Sequence, residues 1–236
     1  MRKVVWITGA GSGIGAAMAT AFAQAGYRVA LTARRAETLE QVAEALPDRD
    51  EVLVLPGDVT DRDGMAGAAG DIRDWGGRLD VLCNNAGLNI PRRRWADLDW
   101  DSWDRVIDVN LTGALNVIAA CLPIMRAQQD GVMIHTSSWA GRFHSDVGGV
   151  AYGASKHALS DISLSLNDEE GVNGIRSTAL CPAEVATPLL SRRPGFDTSK
   201  LAAMIQPEDM AKTALFVAQM QPGISLPEIL LAPVRR

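Results

Sequence analysis

Apolar, β-branched runs recur along the chain at residues 4–8, 28–32, 52–55, 81–84, 132–136 and 176–181. Amphipathic helical patterns separate them, over 13–25, 36–46, 61–75, 100–128 and 151–170. A last helix is predicted at 207–220 and a last short strand at 228–231. Strands alternating with helices of this length predict an α/β fold, a doubly wound parallel sheet of about seven strands with helices on both faces. Neither a repeat nor a low-complexity linker interrupts the pattern, so residues 1–236 read as one domain. Residues 188–206 hold two prolines, a glycine and no strand pattern, and are expected to form an irregular loop beside the substrate. In such sheets ligands bind beyond the carboxyl ends of the strands, so the turns after the strands are where chemistry is sought.

Composition excludes more than it selects. The chain is 47% hydrophobic and 22% charged, ordinary for a globular protein of 236 residues. Its formal net charge is −5 and it has no long basic run, so neither nucleic acid nor an anionic membrane is an expected partner. Apolar stretches fall short of the ~20 residues that span a bilayer. Residues 1–7 mimic a signal peptide, but Gly9, Gly11, Gly13 and Gly15 cut the apolar run short. Cys83, Cys121 and Cys181 are odd in number, far apart and each in an apolar run. They read as buried free thiols in a reducing compartment, which makes a cytoplasmic location the expectation. His144 and His157 lack metal-ligand spacing, and no metal is expected. Arg92, Arg93 and Arg94 form one local basic cluster, read as solvated.

Two stretches carry chemistry. The turn Thr8-Gly9-Ala10-Gly11-Ser12-Gly13-Ile14-Gly15 follows a strand and opens a helix. Glycines there let the backbone approach a pyrophosphate, and the N–H groups at the helix start can receive its charge. Tyr152-Gly153-Ala154-Ser155-Lys156 sets a phenol and an ammonium four residues apart, on one face of a helix. A cation near a phenol favours the phenolate and makes it able to exchange a proton at neutral pH.

Together with Asn84-Asn85-Ala86-Gly87, Asn110 and Ser138, these motifs stand in the order found in short-chain dehydrogenases/reductases, which the whole chain resembles. The resemblance implies a Rossmann-like domain, a nicotinamide cofactor and hydride transfer between a carbinol and a carbonyl carbon. It implies Tyr152 as general acid/base, Lys156 as the group that lowers its pKa and holds the nicotinamide ribose, and Ser138 as hydrogen-bond donor to the substrate oxygen. Ser137 is the neighbouring candidate for that last role. Asn110 would hold a water that completes a proton relay. For the cofactor it implies Gly9, Ser12, Gly13, Ile14 and Gly15 at the phosphates, and Asp58 and Val59 at the adenine. Asn85, Ala86 and Gly87 would lie near the ribose, and Pro182, Val185 and Thr187 near the nicotinamide. Asp58 is equally a candidate helix cap. Ala183 stands where relatives carry glycine, a change that would restrict a backbone needing positive φ.

Cofactor choice follows from charge. The second strand ends Leu31-Thr32-Ala33-Arg34-Arg35, so Ala33 stands where an acid would hold a ribose 2′-hydroxyl. Arg34 and Arg35 suit a 2′-phosphate, and NADP(H) is expected over NAD(H). The substrate is expected to be a small alcohol or carbonyl compound, with walls from 88–95, 139–150 and 188–206. Arg142, Arg192 and Arg193 are candidates to meet a substrate carboxylate. A regulator that binds the nucleotide without turnover is the competing class. The helices over 100–128 and 151–170 resemble those that join subunits in relatives, implying a homo-oligomer, a dimer or tetramer.

Overall fold

Strand and helix alternate in the computed structural model as the pattern predicts; it describes residues 1–192 and 195–234, without the side chains of Ser191 and Arg192. Seven strands, β1 (Val4–Thr8), β2 (Arg28–Thr32), β3 (Val52–Val54), β4 (Val81–Asn84), β5 (Gly131–Thr136), β6 (Ile175–Pro182) and β7 (Glu228–Leu231), form one sheet. They pair in the order β3-β2-β1-β4-β5-β6-β7, every pair parallel. The helices are α1 (Gly13–Gln24), α2 (Ala36–Glu44), α3 (Arg62–Gly76), α4 (Trp100–Ile107), α5 (Gly113–Gln128), α6 (Val150–Glu170) and α7 (Pro207–Ala218).

A parallel sheet covered on both faces needs apolar residues at successive positions, and β1 is buried along its whole length. Alternate side chains then feed two cores. Val5 and Ile7 join Met18, Phe22, Leu31, Ile134 and Met210 on the side of α1 and α7. Val4 and Trp6 join Ile72, Leu82, Val117, Met125 and Met133 on the side of α3 and α5. Burying any one of these side chains contributes about 1.5–3 kcal/mol. The strand order reverses between β1 and β4, and the crevice at that switch point positions the site.

The predicted helix over 100–128 is continuous but not uniform. Asp108–Thr112 makes one π turn between α4 and α5. Such a wide turn is energetically unfavoured and occurs at functional sites. Contrary to the expectation from the sequence, Trp100–Gln128 is long and apolar enough by length and composition to cross a membrane, with a mean hydropathy of 1.6 over its most apolar stretch. Its apolar residues have another use: Val117, Cys121 and Met125 pack into the second core, and buried Asn116 donates to Val59 O at 3.0 Å.

Candidate active site

The site begins with a knot at the carboxyl ends of β1, β4 and β5. Thr8 Oγ1 accepts from the main-chain N–H groups of Asn85 (3.0 Å) and Ala86 (3.1 Å). Asn85 Nδ2 donates back to Thr8 O at 3.1 Å, and Thr136 Oγ1 donates to Asn85 Oδ1 at 3.0 Å. Asn84 Nδ2 reaches Ala114 O on α5 at 3.0 Å. These bonds lock the glycine turn against the strand next to it. Gly9 has φ +65°, and a Cβ there would lie 2.9 Å from Ala86 Cα, so both conformation and space require glycine.

Two contiguous cavities open above the knot, and Gly87 and Leu189 line both. The larger, about 450 Å³, runs from Gly9, Gly11 and Ser12 to Ala33, Arg34 and Arg35, with Asp58, Val59 and Ala86 along its wall. It fits a dinucleotide by two tests. The Ser12 side chain makes no cap hydrogen bond to α1, so the N–H groups of the first turn have no side-chain acceptor there. At the far end Arg34 and Arg35 are exposed, and among the described residues neither forms an ion pair. The capping alternative for Asp58 is resolved: Asp61 caps α3, accepting from Gly64 N at 3.0 Å. Asp58 accepts instead from Thr60 N (3.0 Å) and Thr60 Oγ1 (2.9 Å), which holds the turn after β3.

The second cavity, about 280 Å³, is lined by Ser138, Tyr152 and Lys156 together with Asn85, Gly87, Pro182, Val185 and Thr187. The π turn carries Asn110 behind Gly87, beneath the cavity lining. Its amide is fully buried and satisfied: Oδ1 accepts from Leu88 N at 2.8 Å, and Nδ2 donates to Leu88 O at 2.9 Å and Ser155 Oγ at 3.2 Å. A Cβ on Gly87 would meet Asn110 Oδ1 at 3.4 Å and Lys156 Nζ at 3.5 Å, which brings all three residues together.

Ser137 and Ser138 point different ways, as successive residues leaving a strand do. Ser137 Oγ donates to Lys156 O at 3.0 Å and lies 2.7 Å from Ser160 Oγ, pinning α6 to β5. Ser138 Oγ accepts from Ala140 N at 3.1 Å and shares the cavity with the Tyr152 phenol, whose pKa it pulls down against the effect of burial. Ser138→Ala is therefore expected to lower kcat by about 10–10³-fold with little change in melting temperature. Ser137→Ala is expected to lower stability by about 1–3 kcal/mol through loss of buried bonds. Paired melting curves and initial rates check this, and a larger rate loss in Ser137→Ala would reverse the two roles.

Electrostatics differ from expectation in one respect. Lys156 Nζ lies 5.8 Å from the centroid of the Tyr152 ring and donates to Thr136 O at 2.6 Å. Burial pushes its pKa down to about 8. Burial raises the Tyr152 phenol above its ordinary value, and two groups work against that rise: the Ser138 hydroxyl and the Arg93 guanidinium. Lys156 donates to a carbonyl while its ammonium stays beside the Tyr152 ring, and Arg93 brings a second cation to bear on the phenol. Nothing in the residue spacing signals this, because Arg93 reaches the cavity from a loop.

His135, on β5, is a second feature the residue pattern conceals. It is fully buried, and neither ring nitrogen has a hydrogen-bond partner among the described residues. Burial, then the charge of Lys156, holds its pKa down to about 3. An unfolded histidine titrates near 6.5, so below that pH the unfolded chain binds a proton that the folded one refuses. Stability present above about 6.5 is then lost as pH falls toward 3, at up to ~1.4 kcal/mol per pH unit. Urea midpoints between pH 7.5 and 5 should show this slope, and His135→Leu should flatten it. An unchanged slope in that variant would assign the acid sensitivity elsewhere.

Beyond β6 the chain folds back over the glycine turn. Ala183 N donates to Leu231 O at 2.8 Å, and Gln129 is the one non-glycine residue with positive φ among those described. Ala183 therefore keeps an ordinary backbone, and its Cβ costs nothing in conformation. A Cβ on Gly13 would meet Thr187 at 3.4 Å, which places this segment against the start of α1. The loop over 188–206 is tied at its far end, where Val185 bridges Ile205 and Ala186 N donates to Ile205 O at 2.9 Å. Its first half, through Leu189 and Leu190, lines the cavity.

Of the arginines considered for a carboxylate, Arg142 is turned away: its Nε pairs with Glu228 at 3.2 Å. Arg193 lies outside the described residues, as does the side chain of Arg192. His144 pairs with Asp146 at 3.0 Å on the surface, and His157 Nδ1 lies 2.9 Å from Gly153 O. Cys83, Cys121 and Cys181 are free and buried, and burial raises all three thiols. No group of three or more possible metal ligands occurs among the described residues.

A dinucleotide-shaped groove continuous with a Ser-Tyr-Lys cavity, at the switch point of a parallel sheet, defines an oxidoreductase of the nicotinamide-dependent kind. The short chain dehydrogenase family profile matches residues 3–195, and this chain belongs to that family. It is 34% identical to an uncharacterized oxidoreductase of Staphylococcus aureus (strain USA300), over 98% of this chain and 97% of that one. Among solved structures, the closed form of a serine dehydrogenase complexed with NADP+ superposes with a TM-score of 0.88 at 26% identity, covering 98% and 94% of the two chains. An alcohol dehydrogenase from the archaeon Thermococcus sibiricus, complexed with 5-hydroxy-NADP, gives 0.89 at 27% identity over 100% and 99%.

Proposed function

We propose that the protein is an NADP(H)-dependent oxidoreductase that interconverts a small alcohol and its carbonyl compound, with Tyr152 as general acid/base. The observation that carries this reading is the continuity of the two cavities, which share Gly87 and Leu189. When bound, the nicotinamide supplies or accepts the hydride. Gly9, Ser12, Gly13, Ile14 and Gly15 would hold its phosphates, Arg34 and Arg35 its 2′-phosphate, and Pro182, Val185 and Thr187 its nicotinamide end.

The chain's own residues do the rest. Ser138 orients the substrate oxygen and stabilises charge that grows on it. Tyr152 gives that oxygen a proton in reduction and takes one in oxidation. Lys156, held against Thr136 O, keeps positive charge beside the phenol. Asn110 fixes the Leu88 backbone and Ser155 at the floor of the relay. Nucleotide binding alone gives no physical reason to gather Ser138, Tyr152 and Lys156 in one cavity, so turnover is favoured over a purely regulatory role. Consumption of NADPH with a panel of small ketones and aldehydes tests the reading, with Tyr152→Phe as control. Failure of the wild type to turn over any of them would count against it.

A further inference from the structure

Arg93 sits in the cavity wall with Tyr152 and Ser138, on the loop that follows β4. Its position is fixed from several directions. Nη1 donates to Val147 O at 2.9 Å and Nε donates to Ile90 O. Arg93 O accepts from Val150 N at 3.3 Å, and a Cβ on Gly149 would lie only 2.4 Å from Arg93 Cβ. The guanidinium plane is thus set before any substrate arrives. Its charge also reaches the Tyr152 phenol, where it opposes the effect of burial. A cation in the same cavity wall as the reacting hydroxyl adds nothing to recognition of a neutral alcohol. For a substrate that carries an anion next to its carbinol, it supplies both orientation and charge.

We propose that Arg93 receives the carboxylate of the substrate, and that the substrate is a small hydroxy acid or the corresponding oxo acid. This rests on the reading of Tyr152 as acid/base given above. The guanidinium holds the carboxylate by charge-assisted hydrogen bonds, while Tyr152 and Ser138 hold the hydroxyl. In oxidation the O–H proton would pass to the Tyr152 phenolate as the C=O bond forms, and a bound NADP+ would take the carbinol hydrogen as hydride. The cavity, about 280 Å³, leaves room for an acid of a few carbons beside the nicotinamide end it would also receive. Glu184, from the segment after β6, brings a carboxylate to the same cavity, so β-hydroxy-α-amino acids with an ammonium group belong in the test.

The competing role for Arg93 is a latch between the loop after β4 and the segment before α6. Asn89 makes a parallel latch there, its Nδ2 donating to Gly148 O at 3.0 Å, and provides the control. The experiment measures kcat/KM for β-hydroxypropionate, β-hydroxybutyrate and serine, each beside its methyl ester, and titrates each acid calorimetrically into the protein. The wild type is expected to favour at least one acid over its ester by about 10–10²-fold. Arg93→Gln should abolish that ratio and the calorimetric binding, Arg93→Lys should restore part of both, and Asn89→Ala should leave the ratio in place. A wild type that favours every ester, or an equal ratio in wild type and Arg93→Gln, overturns the proposal while leaving the oxidoreductase reading intact. Acid binding that depends on Arg93 without turnover of any compound supports the carboxylate site and counts against that reading. Absence of both binding and turnover with the acids overturns the proposal.

Discussion

Tyr152→Phe is expected to lower kcat by about 10²–10⁴-fold while the protein stays folded. The substitution removes one oxygen and keeps the ring, which packs against the small cluster of Leu88, Val106 and Ala151. Losing the phenol's contact with the Ser138 hydroxyl changes stability by only ~1 kcal/mol, because both residues line an open cavity where water can take its place. The rate effect is far larger, because the hydroxyl that is deleted is the one that exchanges the proton with the substrate oxygen. Lys156 directs its ammonium at Thr136 O, and His135 is fully buried on β5. Rates of NADPH consumption, read beside circular dichroism and melting curves, separate the two contributions. A variant that keeps its rate within a few-fold of wild type would remove Tyr152 from the mechanism. A variant that loses both rate and fold would point to a packing role for the phenol.

How much of this was legible in the sequence depends on whether a feature repeats. The seven strands were legible because burial on two faces demands runs such as Val4-Val5-Trp6-Ile7, and their alternation with helices dictates the parallel order. Tyr152 and Lys156 were legible because a helix converts a spacing of four into a shared face. The preference for Ser138 over Ser137 rests on the family's motif alone; that the two hydroxyls have different partners is a finding of the structure. The π turn at Asp108–Thr112 was not legible, since one displaced hydrogen bond leaves the apolar pattern of a helix almost unchanged. The sequence reads Arg93 as solvated and Arg142 as a candidate for the substrate; in the structure Arg93 lines the cavity and Arg142 pairs with Glu228. Loop side chains follow no period, so only the hydrogen bonds to Ile90 and Val147 reveal where the guanidinium lies. His135 was hidden for a different reason: one polar residue in a buried strand is indistinguishable, by pattern, from one with partners.

Ala33→Asp is expected to reverse the cofactor preference. In the groove Ala33 lies beside Arg34 and Arg35, where the cofactor's 2′-phosphate would be received. A carboxylate about 4 Å from that phosphate repels it by between ~1 kcal/mol in bulk water and ~4 kcal/mol near a protein surface. A fall of about 10–10²-fold in kcat/KM for NADPH lies within that range. For NADH the same carboxylate gains a partner, since it can accept from the ribose 2′-hydroxyl, so kcat/KM for NADH should rise. Arg34→Ala removes the attraction without adding the repulsion, so it should weaken NADPH by about 10-fold and leave NADH nearly unchanged. The two variants therefore differ in their effect on NADH, which a general loss of folding or of catalytic geometry would not produce. Because the exposed arginines act through charge, the NADPH advantage of the wild type should also shrink as salt rises from 0.05 to about 0.5 M. Equal kcat/KM for the two cofactors in the wild type, at low salt, would show that Arg34 and Arg35 do not read the 2′-phosphate.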